Sequence, residues 1–123
     1  MKKILAALLL TLPAMASADS LDVIEFKLKE GCDFATYMAI VKDFNASWGE
    51  AYGYKAEILM PLHRANLETM YWVGRAASAE AFGDGWDAWR DAQSDPASVP
   101  AKLWARMDAC SLNLNRAAYD TYQ

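Results

Sequence analysis

Three observations predict one α+β domain, β-α-β-β-α-β in order, with a four-stranded antiparallel sheet carrying its helices on one face. Four segments alternate apolar and polar residues with a period of two, and the stretches between them repeat with helical spacing. Hydrophobic residues make up 54% of the chain and charged residues 23%, the balance of a packed globule. An 18-residue leader leaves 105 of the 123 residues, enough for one core and too few for two.

The leader comes first. Met1-Lys2-Lys3 is a short basic start, and Ile4 to Leu12 is an apolar run well short of the roughly 20 residues a membrane span needs. Pro13 ends the run and Ala16-Ser17-Ala18 supplies a small-residue cleavage site, so the expected mature chain is 19–123, beginning at Asp19. The competing reading is an uncleaved amphipathic helix. The three-part pattern predicts export to a bacterial periplasm or beyond it, with no span elsewhere in the chain.

The first strand is Leu21 to Lys29, with Ile24, Phe26 and Leu28 on one side and Val23, Glu25 and Lys27 on the other. Asp33 can cap a helix whose apolar residues, Phe34, Tyr37, Met38, Val41, Phe44 and Trp48, form one stripe, and Gly49 and Gly53 mark its exit. Lys55 to His63 alternates as the second strand, and Pro61 within it demands a sheet edge because it cannot donate to a neighbour. A polar connection, Arg64 to Glu68, leads to the third strand, Thr69 to Arg75. Ser78 caps the second helix, whose apolar residues are Phe82, Trp86 and Trp89. Ser94-Asp95-Pro96 interrupts it, and Val99, Leu103, Trp104 and Met107 make a further helical turn or two. Ser111 to Arg116 is the fourth strand, with Leu112 and Leu114 set against Asn113 and Asn115.

Loss of Lys2 and Lys3 with the leader takes the net charge from −4 to −6. Nucleic acid and anionic lipid need a surplus of Lys and Arg, so neither is an expected partner. One histidine and two cysteines are too few for most zinc sites, iron–sulfur clusters or two-histidine chemistry, and no metal site is expected. Two cysteines in an exported chain pair more often than they stay free; the alternatives are two buried thiols or one reactive thiol.

In element order, length and the tryptophan-rich second helix (Phe82-Gly83-Asp84-Gly85-Trp86-Asp87-Ala88-Trp89), residues 21 to 116 resemble the dimeric α+β barrel superfamily, whose domains are ferredoxin-like. That superfamily includes cofactor-free monooxygenases, muconolactone isomerase, stress-responsive barrel proteins and haem-degrading enzymes. The resemblance matches no catalytic motif of one subfamily, and fold does not give function. It implies a strand order of 4-1-3-2, which places the second strand and Pro61 at an edge. It also brings Cys32, after the first strand, within bridging distance of Cys110, before the fourth.

Under this arrangement Ile24, Phe26, Ile58, Met60, Trp72, Leu112 and Leu114 pack beneath the helices. The opposite face carries Glu25, Lys27, Glu57, Leu59, His63, Tyr71, Val73, Arg75, Asn113 and Asn115. In a monomer that face is solvated. In the barrel the resemblance implies, two copies oppose these faces around a cavity, making Tyr71, Arg75, Asn113 and Asn115 candidate ligand contacts. His63 is a candidate general base or haem ligand, against an ordinary solvated histidine at a strand end. Glu57 is a candidate catalytic carboxylate, against a cross-strand ion pair with Arg75. About 20 Å of strand separates Glu57 from His63, so they are not one acid–base pair within a subunit. Asn45-Ala46-Ser47 fits a glycosylation pattern but falls within a helix.

Two functions follow from the resemblance. One is a homodimer, without cofactor, that binds a small aromatic or hydrophobic molecule and oxygenates or isomerises it. The other is a non-catalytic stress-related or interaction module whose sheet face serves dimerisation alone.

Overall fold

A computed structural model describes residues 19–122. The expected leader, 1–18, lies outside them. The chain runs β1 (Ser20–Leu28), α1 (Phe34–Phe44), a π-helical turn (Asn45–Gly49), a short 3-10 turn (Glu50–Tyr52), β2 (Tyr54–Leu59), β3 (Thr69–Ala76), α2 (Ala79–Ala92), α3 (Val99–Cys110) and β4 (Ser111–Asp120). The four strands form one antiparallel sheet in the order β2-β3-β1-β4, the ferredoxin-like arrangement.

Each helix begins where a side chain satisfies a free backbone N–H. Asp33 accepts from Thr36 N at 2.7 Å, Ser78 from Ala81 N at 3.1 Å and Ser98 from Ala101 N at 3.2 Å. Bonding to the Thr36 backbone holds the Asp33 carboxyl below the ordinary carboxylate range. Pro100 sits in the first turn of α3, where its missing N–H costs nothing.

The core lies between the sheet and the helices. Phe26 and Val41 are fully buried, with Ile40, Phe44, Met70, Trp72 and Leu103 around them. Phe26 meets Tyr37 with ring centroids 4.7 Å apart, and Phe44 meets Trp72 edge-on at 4.9 Å. Cys32 and Cys110 form a disulfide with Cα atoms 5.2 Å apart, tying the end of β1 to the end of α3.

Four expectations need correcting. The second strand stops at Leu59, so Met60, Pro61 and His63 lie outside it; Met60 and His63 are exposed. Proline offers no ladder N–H, and its ring disfavours continuation from the residue before it. β2 is nonetheless an edge strand. Second, β4 continues to Asp120 and pairs with β1 as far as Ser20.

Third, a β-bulge in β4 changes its parity. Phe26 pairs with Asn113 but Glu25 pairs with Asn115, leaving Leu114 as the extra residue. Asn113 therefore shares the helix-covered face with Phe26, whereas Leu112, opposite Lys27, and Leu114 are exposed at 46% and 47%. Neither leucine packs beneath the helices.

The fourth correction concerns charge pairs. Glu57 stands opposite Val73 and lies 3.7 Å from Lys55, while Arg75 pairs with Asp19 at 3.0 Å. The ladder register puts Lys55, not Glu57, across from Arg75.

Asn45 finds a use other than glycosylation. Its amide donates to Ala56 O at 2.9 Å and accepts from Ala56 N at 2.8 Å, sealing part of the β2 edge. This contact anchors the π-helical turn, which carries Trp48 toward the inner face of the sheet.

Candidate functional site

The helix-covered face of the sheet is incompletely filled. α2 buries none of its residues fully, although Trp89 packs against the core and Phe82 meets Tyr54 of the sheet with ring centroids 6.2 Å apart. Beneath it lies a cavity of about 570 Å³. All five tryptophans of the chain, Trp48, Trp72, Trp86, Trp89 and Trp104, line it.

Ring contacts hold this wall together. Trp48 stacks on Tyr52 at 4.4 Å and meets Trp89 edge-on at 5.6 Å; Phe44 meets Trp89 at the same distance. Gly85 lets α2 approach the 3-10 turn, since a Cβ there would sit 3.3 Å from the Tyr52 Cβ. Such aromatic pairs contribute about 0.5–1.5 kcal/mol each beyond area burial, so the wall is fixed without filling the cavity.

The floor is polar. Asp22, on β1 between Ser20 and Ile24 on the same face, has a side chain only 4% exposed. Arg116 on β4 donates to it twice, Nε to Oδ1 and Nη2 to Oδ2, both at 2.8 Å. Tyr54 O–H donates to Oδ2 at 3.0 Å, and Trp72 Nε1–H donates to the Tyr54 oxygen at 2.8 Å. The Arg116 guanidinium lies 4.2 Å above the Trp86 ring, linking the floor to α2 across the cavity mouth.

Two buried tyrosines of the cavity hold their protons tightly. Burial, then the negative charge of Asp22, pushes the Tyr54 hydroxyl far above the usual phenol range. It therefore serves as a hydrogen-bond donor at neutral pH, not a base. Burial likewise raises Tyr37, which lines the inner end, to about 12, partly offset by a bond with Ser111. Asp22 is the carboxylate that the floor presents.

Of the residues anticipated as ligand contacts, Asn113 lines this cavity. Tyr71 and Arg75 on β3, and Asn115 on β4, lie on the opposite, uncovered face. There Arg64 folds back from the β2–β3 connection, donating to the Tyr71 hydroxyl at 2.6 Å and approaching Glu25 to 3.5 Å. His63 faces solvent in the same connection, and Glu57 is exposed beside Lys55; neither lines the cavity. Among the described residues no group of three or more His, Cys, Asp or Glu side chains is placed to hold a metal ion, and no helix is long and apolar enough to cross a membrane.

Asp22, Tyr54 and Arg116 are the candidate site residues that sequence reading passed over, and Trp48, Trp86, Trp89 and Trp104, spaced as core residues, also line the cavity. Two signals were available. Asp22 occupies the apolar phase of β1, where a charge must be paired. Gly74 occupies the inner phase of β3, where a glycine marks close approach of another group; that group is the Tyr54 ring.

No family model and no curated protein matches the chain. Solved structures do share its fold. One is SnoaB, a cofactor-independent oxygenase from Streptomyces nogalater, 11% identical with a TM-score of 0.57 over 86% of this chain and 95% of that one. Another is the hydroxynitrile lyase of Passiflora edulis, 15% identical with a TM-score of 0.55 over 87% and 96%. A third, from Shewanella oneidensis, is 17% identical with a TM-score of 0.52 over 85% and 92%. At these identities the likeness is one of fold.

Proposed function

We propose that the protein is an exported small-molecule-binding domain that takes one flat aromatic or hydrophobic molecule per chain into the cavity between its sheet and α2. The convergence of all five tryptophans on that cavity carries the reading. Its volume is that of a small-ligand site, with an apolar wall and a few placed polar groups. A folded chain gains nothing from an empty aromatic-lined space, since wall atoms lose partners across a void.

The chemistry we propose is oxygenation or isomerisation without a cofactor. The fold it shares with a cofactor-independent oxygenase and a hydroxynitrile lyase supports this. Within the cavity, proton removal from a bound phenol or acidic C–H falls to Asp22; as that carboxylate takes up the proton, Tyr54 and Arg116, which bond it at rest, turn to the charge left on the ligand. We further propose that the mature chain begins at Asp19 and that two copies associate through the uncovered sheet face.

Native mass spectrometry of protein recovered from the periplasm tests these points together. The expected result is a chain starting at Asp19, paired, with one small molecule retained per chain. Titration with 2-naphthol should quench the tryptophan fluorescence with one-to-one stoichiometry. Absence of both a retained molecule and quenching up to millimolar 2-naphthol would overturn the binding function. Oxygen uptake with an electron-rich phenol then separates an oxygenase from a binding module.

A further inference from the structure

We infer that the cavity discriminates in favour of ligands bearing a carboxylate, held by Arg90 and Gln93 at the C-terminal end of α2. The inference rests on the aromatic cavity being a ligand site and adds the charge of its occupant.

The first observation is an ion-pair inventory. Four of the five arginines face a carboxylate: Arg64 with Glu25, Arg75 with Asp19, Arg106 with Asp43 and Arg116 with Asp22. Among the described residues Arg90 has no such partner, and it lines the cavity. Arg90 is exposed at the cavity edge, so its guanidinium is free to meet a ligand without first leaving a carboxylate.

The second observation is independent. Gln93 lines the same cavity, and among the described residues its Nε2 is buried without a hydrogen-bond partner. A buried amide N–H left unpaired costs free energy that a ligand acceptor would recover. Arg90 lies in the last turn of α2 and Gln93, three residues on, caps the helix with helical backbone angles, so the two residues share one side of its C-terminal end. Trp86 and Trp89 belong to that same side, one turn nearer the start. An aromatic ring among the tryptophans with its carboxylate toward Arg90 and Gln93 meets both needs.

The two carboxylates on the cavity lining are each engaged by donors. Asp22 is covered by three donors, two from Arg116 and one from Tyr54. Asp108, also on the cavity lining, faces Lys29 at 4.0 Å. Arg90 also suits the last turn of α2, where a cation complements the free carbonyls. That role would register in stability, not in choice of ligand.

Calorimetric titration at neutral pH and low salt, with 2-naphthoate, 2-naphthamide and 2-naphthol, tests the inference. Wild-type protein should bind 2-naphthoate roughly tenfold or more tightly than the amide, the scale of hydrogen bonds to a charged group. Arg90→Gln should abolish that preference, with the loss falling on 2-naphthoate. Arg90→Lys should retain part of it, and Arg106→Gln, outside the cavity, all of it. Equal affinity for the acid and the amide in wild type would overturn the carboxylate subsite while leaving the cavity as a ligand site, and so would an Arg90→Gln variant that loses both ligands alike. Failure of all three probes to bind would overturn the cavity reading and this inference with it.

Discussion

Gly74 on β3 lies directly against the Tyr54 ring on β2, so that a Cβ added at residue 74 would coincide with the phenol. The pairing explains how a tyrosine reaches across its own sheet face to Asp22. Gly74→Ala should destabilise the domain by about 1–3 kcal/mol or more, as overpacked cores do. Tyr54→Ala in the same chain should recover part of that loss, because the two side chains compete for one volume. Urea unfolding of the single and double variants measures the coupling; additive losses would contradict it.

The Asp22–Arg116 pair should be asymmetric. Asp22 is 4% exposed and Arg116 38%. Removing the arginine strands a buried carboxylate with only Tyr54 as donor, whereas removing the carboxylate leaves a guanidinium that water can reach. Arg116→Gln should cost about 2 kcal/mol, less than a fully buried pair because the arginine is partly solvated, and Asp22→Asn should cost less. Equilibrium unfolding of both variants decides the order.

Alkaline pH should unfold the protein through its buried tyrosines. Tyr37 is raised to about 12, and Tyr54 higher still, both by burial above all. Between pH 10 and 12 the unfolded chain loses the Tyr37 proton while the folded chain keeps it, so stability falls as pH rises. Each such tyrosine contributes a slope of up to about 1.4 kcal/mol per pH unit. Tyr37→Phe should flatten the decline by one tyrosine's worth. Denaturant midpoints from pH 8 to 11 provide the comparison.

Reduction of Cys32–Cys110 should weaken the domain substantially. The bridge closes a loop of 78 positions, for which chain entropy gives an upper figure of about 4–5 kcal/mol. Unfolding with and without dithiothreitol should show the difference, and thiol titration of the unfolded, unreduced chain should find no free thiol.

The uncovered sheet face should bury itself in a second copy. Leu59, Leu112 and Leu114 are exposed on or beside that face, while most of its charges pair within the chain, Glu25 with Arg64, Arg75 with Asp19 and Glu57 with Lys55, leaving Lys27 without a carboxylate among the described residues. A partly apolar face whose charges are mostly compensated loses little on meeting its own copy. Sedimentation at micromolar concentration should give a dimer, and Leu114→Asp should shift it toward monomer. A wild-type monomer throughout that range would remove the association.

Local pattern made much of the fold legible. The period of two in β1 and β3 and the stripes of α1 and α2 follow from which side of each element meets water. The caps Asp33 and Ser78 follow from unpaired backbone donors at a helix start. Two cysteines in one chain left one intramolecular pairing. The β4 bulge was not legible: one extra residue at Leu114 shifts the side-chain phase while leaving the apolar alternation of the segment intact. Strand pairing with β1 sets that phase, and pairing is a long-range property.

The site divides along the same line. The amino-acid order alone establishes that the chain holds five tryptophans and that Asp22 and Gly74 interrupt apolar phases. That Trp48, from a π-helical turn, and Trp104, from α3, face the same space as Trp86 depends on how helices sit over the sheet. The same packing left α2 with none of its residues fully buried and brought Arg116, far along the chain, onto Asp22. It moved the candidate site from the outer face, with Tyr71 and Arg75, to the inner one. Local sequence can say which side of an element avoids water, because that is a property of one element. Whether facing elements close on each other or leave a cavity depends on side-chain volumes summed across all of them, and only the assembled chain performs that sum.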